Sequence, residues 1–231
     1  MAGCPRRPWL AAEVDSPARC VTLEGVYLLR LMLPDRPGSL GSVATAMGAV
    51  DADIAAVSVV EKRDGEAVDD FMLELPADTP PDALVTACVQ LPGVEVLWLS
   101  NYPESWGLQA DVDVLAEMTA DPAHAPAILT KAAPEVFHAS WAALVEQAGP
   151  RVLASSELAP DFDEDAMRAL GPLGTPGSRE LRDGWLHGWP ASLIAIAPLA
   201  GGRSLVIARH GGPDFLDSEI ARMRHLAALA G

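Results

Sequence analysis

Residues 26–33 are apolar at every position but one, a run long enough for a strand and too short for a free-standing helix. Tyr27, Leu29, Leu31 and Leu33 make one apolar face. Val26, Leu28, Arg30 and Met32 make the other, interrupted only by Arg30. A strand apolar on both sides is covered on both sides, so the second face is expected to meet another subunit or domain. Arg30 then reads as a snorkelling arginine at a subunit contact rather than a ligand group. The period next changes: Leu40, Val43, Met47 and Val50 form one helical stripe.

A second strand over 54–61 leads to Asp64-Gly65, a hairpin turn in which glycine accepts positive φ. The return strand, 68–75, puts Phe71, Leu73 and Leu75 on one face and Val68 and Met72 on the other. The adjacent acids Asp69 and Asp70 therefore point to opposite sides and form no catalytic pair. Thr79-Pro80-Pro81-Asp82 opens a helix with the stripe Leu84, Val85, Cys88 and Leu91; Pro92-Gly93 ends it, and a strand over 94–99 closes the unit. The order is β-α-β-β-α-β, a ferredoxin-like α+β arrangement.

The connection after the first strand is Leu33-Pro34-Asp35-Arg36-Pro37-Gly38-Ser39-Leu40. Prolines and a glycine hold the turn, and Gly38 and Ser39 bring free backbone N–H groups to a helix start, which suits a carboxylate. The hexapeptide Asp35–Leu40, together with the hairpin and Pro92-Gly93-Val94 before the fourth strand, resembles the signature of ACT domains. The resemblance covers about residues 24–100. It implies that the loop receives an amino acid at an interface between two domains, with Asp35, Arg36, Gly38, Ser39 and Leu40 as ligand residues. Ser58, on the second strand, is a further candidate for the facing wall.

The remaining chain divides less sharply. Residues 1–22, broken by Pro5, Pro8 and Pro17, read as a flexible tail ahead of an ACT-like domain over 23–102. Residues 103–134 read as a helical linker merging into a second domain, with short helices near 111–118 and 125–132. In that domain, 135–231, a hairpin is expected around Gly149 and another around Gly201-Gly202, followed by a helix from Asp217 carrying Ile220, Met223, Leu226, Ala227 and Ala230. The stretch 161–188 carries no readable period. Apolar strand, short turn, Leu205-Val206-Ile207-Ala208-Arg209, Gly211-Gly212-Pro213-Asp214-Phe215 and terminal helix together resemble the end of a trimmed GAF domain. Trp185 and Trp189 read as core or as a dimer contact.

Composition narrows the chemistry. A formal net charge of −16 argues against a nucleic-acid surface. No apolar run reaches the length of a membrane span, and the Arg6-Arg7 start lacks a signal-peptide core, so a cytoplasmic protein is expected. Cys4, Cys20 and Cys88 have no metal-ligand spacing, nor have His124, His138, His187, His210 and His225. No nucleophile or phosphate-loop motif is present, and no cofactor is called for. The expectation is a non-enzymatic regulatory homodimer that binds an amino acid and acts on its own second domain or on a protein partner. The alternative is a dimerisation unit that no longer takes a ligand.

Overall fold

The computed structural model describes residues 23–101, 108–149 and 151–231. The tail read over 1–22, with Cys4 and Cys20, lies outside them. The chain is α+β, with two antiparallel sheets. The first unit runs β1 (Leu23–Pro34), α1 (Ser39–Gly48), β2 (Asp53–Arg63), β3 (Glu66–Pro76), α2 (Pro81–Val89) and β4 (Glu95–Asn101). Its strand order is β2-β3-β1-β4, the ferredoxin-like arrangement expected from the apolar pattern. Asp64 (φ 56) and Gly65 (φ 85) form the β2–β3 turn, both in the left-handed region that a two-residue hairpin of this twist requires.

One face of this sheet buries Leu29, Leu31, Phe71 and Leu73 against Val43 and Met47 of α1 and Leu84 and Cys88 of α2. Cys88 is the core thiol expected of it, and burial pushes its pKa up to about 11. On the opposite face Ser58, Asp70, Arg30 and Trp98 lie in one row across β2, β3, β1 and β4.

The second unit runs α3 (Leu108–Ala120), α4 (Ala125–Val136), β5 (Trp141–Glu146), β6 (Val152–Ser155), α5 (Glu164–Ala169), β7 (Gly177–Leu181), β8 (Ser192–Leu199), β9 (Arg203–His210) and α6 (Asp217–Ala230). Its sheet order is β6-β5-β9-β8-β7, with both expected hairpins in place. The stretch read as a linker supplies α3 and α4, whose Val114, Met118, Leu129 and Ala133 pack with α6 on one face of the sheet. The other face carries Trp141, Val145, Ile194 and Val206 under Met167 and Leu170, with Trp185 and Trp189 half-buried beside them. Layers on both faces account for the near-continuous apolar stretches within β5, β8 and β9. The stretch 161–188 hides α5 and β7, elements too short to show a period. Asp163 caps α5, its carboxylate accepting the Ala166 N–H at 2.7 Å.

The row of polar residues on the first sheet meets the second unit of the same chain. Arg30, 1% exposed, donates to Asp70 at 2.7 and 2.8 Å and to Glu219 of α6 at 3.0 Å. Glu219 also accepts Arg209 of β9 at 2.7 Å, and the Arg209 guanidinium lies over Phe215 (4.1 Å) and Trp98 (5.7 Å). Glu61 of β2 accepts both the backbone N–H and the hydroxyl of Ser218. Arg30 is therefore not a snorkelling surface arginine. It is the centre of a buried ion network that joins the two units.

Candidate functional site

The loop between β1 and α1 bounds a cavity of about 320 Å³. Local chemistry sets its shape. Asp35 N–H donates to Gly65 O at 2.8 Å, tying the loop to the β2–β3 turn, and Gly38 (φ 93) turns the chain into α1. Ser39 N–H closes on Arg36 O and Ser42 N–H on Gly38 O. The other N–H groups of a first helical turn have no partner within the helix, and the N-cap glycine supplies no side chain to them. They are the donors available to an anion here. On the other flank of the loop, Gly93 (φ 77) sits so close that a Cβ there would lie 3.0 Å from Pro34 Cγ.

Asp35, Arg36, Gly38, Ser39 and Leu40 all line this cavity, together with Lys62 of β2 and Asp69 of β3. Lys62 donates to Asp35 at 2.7 Å in a half-exposed ion pair, which contributes little to stability. Asp69 is 1% exposed, and its Oδ1 has no hydrogen-bond partner. Burial holds its carboxyl above the usual carboxylate range, while Lys62 pulls the other way. The cavity thus pairs helix-start donors with a buried, under-satisfied acid.

Ser58 lies elsewhere. Its side chain shares the face of Asp70 rather than Asp69, and it lines the cavity at the junction of the two units. Its neighbour Val59 and, further along β2, Lys62 are the residues of that strand that line the loop cavity. Sequence reading missed Asp69 and Lys62 as site residues. The signal for Asp69 was present: it is the one charge in phase with Phe71 and Leu73, on a face otherwise apolar. Its register opposite Leu31 and Val59, which brings it under the loop, was not readable.

Among the described residues, no group of three or more His, Cys, Asp or Glu is placed to hold a metal ion. No described helix is long and apolar enough to cross a membrane.

No family model matches the chain, and no curated protein matches it. Solved structures give faint likenesses. An unknown protein from Galdieria sulphuraria matches at 12% identity and a TM-score of 0.31, over 80% of this chain and 78% of that one. A formyltetrahydrofolate deformylase from Pseudomonas putida KT2440 matches at 11% identity and a TM-score of 0.28, over 42% of this chain and 38% of its own. Likenesses this faint establish nothing about function.

Proposed function

We propose that this chain is a non-enzymatic regulatory protein that takes an amino acid in the loop cavity between β1 and α1. The observation that carries the reading is the unpartnered Oδ1 of buried Asp69, a residue that lines the same cavity as the start of α1. A zwitterion satisfies both ends: its carboxylate takes the helix-start N–H groups, and its ammonium takes Asp69. The ACT-like signature at Asp35–Leu40 supports the same ligand class, and the GAF-like end of the chain suits a responding domain. β2 is an edge strand whose Val57 and Val59 are 42% and 46% exposed, and Val59 also lines the cavity. A second copy seated along that edge would complete the site, so ligand would bias the dimer by binding one arrangement better.

Thermal-shift measurements against the twenty amino acids, read beside oligomer size from light scattering, test this. At least one amino acid is expected to raise the melting temperature at millimolar concentration, and Asp69→Asn is expected to weaken that response about tenfold or more. The exposed Val57 and Val59 also favour a second reading, a dimerisation unit without a ligand. It requires a stable dimer whose melting temperature ignores every amino acid.

A further inference from the structure

A separate cavity of about 280 Å³ lies at the seam between the two units, lined by Arg30, Ser58, Asp111, Ser218, Glu219 and Arg222 among others. It shares Val59 alone with the loop cavity. Asp70 and Glu219 occupy Nε and Nη2 of Arg30. Its Nη1 is buried and has no hydrogen-bond partner. Such a donor costs stability unless something accepts from it.

Charge at the seam selects the ligand. The Arg30, Arg209 and Arg222 guanidiniums face the carboxylates of Asp70, Glu219 and Asp111, the last gripping Arg222 at 2.6 and 2.8 Å. His138, also in the lining, is held neutral, its pKa pushed down to about 3 by burial and by Arg209 and Arg30. These six groups balance one another, and Glu61, which accepts from Ser218 of the same lining, adds one more carboxylate beside them. A net anion would add to that negative excess, and a cation offers Arg30 Nη1 no acceptor. A small zwitterion adds no net charge and brings an acceptor.

We propose that this seam is a second ligand site, for a small zwitterionic amino acid. The ligand carboxylate accepts from Arg30 Nη1, its ammonium faces Asp111 and Glu219, and the Ser58 and Ser218 hydroxyls lie within the same lining. Because the lining comes from β1, β2 and β3 on one side and α3 and α6 on the other, occupancy braces the two units against each other.

The test is a titration of the ¹⁵N-labelled full chain with glycine and L-alanine, following backbone amides by NMR, with acetate and acetamide as controls. Millimolar glycine is expected to move the amides of Ser58, Asp70 and Ser218 saturably, and acetate and acetamide to move them less. Ser58→Phe, whose ring fills the seam cavity, is expected to weaken this response about tenfold or more while leaving Gly38, Ser39 and Leu40 as in the parent chain. Seam amides that stay still in the unsubstituted protein overturn the proposal, whether or not the variant folds. So does acetate acting as strongly as glycine. Movement confined to Gly38–Leu40 would sink the seam site and leave the loop site standing; movement confined to the seam would do the reverse.

Discussion

Asp69 and Asp70 are neighbours in sequence with opposite physical situations. Asp70 is matched by Arg30, whereas Asp69 turns to the loop cavity with one oxygen unpartnered. Burial raises the Asp69 pKa, so folding disfavours its charged form relative to the unfolded chain. Its cost is absent below the ordinary value of 3.8, grows as the pH rises through the raised folded value, and is constant above it. Asp69→Asn is therefore expected to stabilise the ligand-free protein at neutral pH by about 1 kcal/mol, the low end for an orphaned buried group because Lys62 lies near. That gain should vanish in strong acid. Melting curves of parent and variant across pH check it: a variant that melts lower at neutral pH would mean that Asp69 is already satisfied. A gain in stability alongside a loss of amino-acid response would mark Asp69 as a residue kept for binding.

At the scale of elements, the loop is shaped by its neighbours as much as by its own prolines. Gly93 ends the α2–β4 connection at φ 77 and lies against Pro34. Gly93→Ala places a Cβ 3.0 Å from Pro34 Cγ and strains the backbone as well. The expected cost is about 1–2 kcal/mol, with a weaker amino-acid response, although Gly93 does not line the cavity. Gly41→Ala is the control within α1. Nothing lies within 4 Å of its added Cβ, so it should hold or raise stability by up to about 1 kcal/mol. Denaturant unfolding of the two variants separates these effects. Pro92-Gly93-Val94 was legible in the sequence as a helix stop before a strand. Its contact with Pro34 was not, because the two are joined only through β1–β4 pairing.

At the scale of the molecule, Glu219 holds the units together. It accepts from Arg30 and Arg209 and reaches back to the Leu216 N–H at 2.9 Å, closing the start of α6. Burial pushes its pKa upward, but Arg209 and Arg30 outweigh that and hold it down at about 2. Its contribution is fully present above the ordinary 4.5 and is lost as the pH falls toward about 2. Glu219→Gln can keep the helix-start bond yet leaves two buried guanidiniums without their shared counter-charge. The expected cost is roughly 3–5 kcal/mol. Calorimetry should show a parent endotherm that splits in the variant into two transitions, one for each sheet, with the stability gap closing between pH 4.5 and about 2. A single unshifted endotherm would mean that the seam carries little of the coupling.

Local sequence alone determined the β-α-β-β-α-β unit, the Asp64-Gly65 turn, both hairpins of the second sheet and the terminal helix. Each follows from local periodicity and from residues that accept positive φ or stop a helix. The alternation of side chains also determined that Asp69 and Asp70 part company. Where each of them goes is set by long-range packing. Register brings Asp69 beneath a loop 29 residues earlier at its nearest, Leu40, and folding of the second unit brings Glu219 onto Arg30 across |i−j| = 189. The same step turned the second apolar face of β1 into a seam within one chain and moved Ser58 from the loop to that seam. Pairing across such separations depends on which sheet face meets which helix end, and no local period in the sequence encodes that.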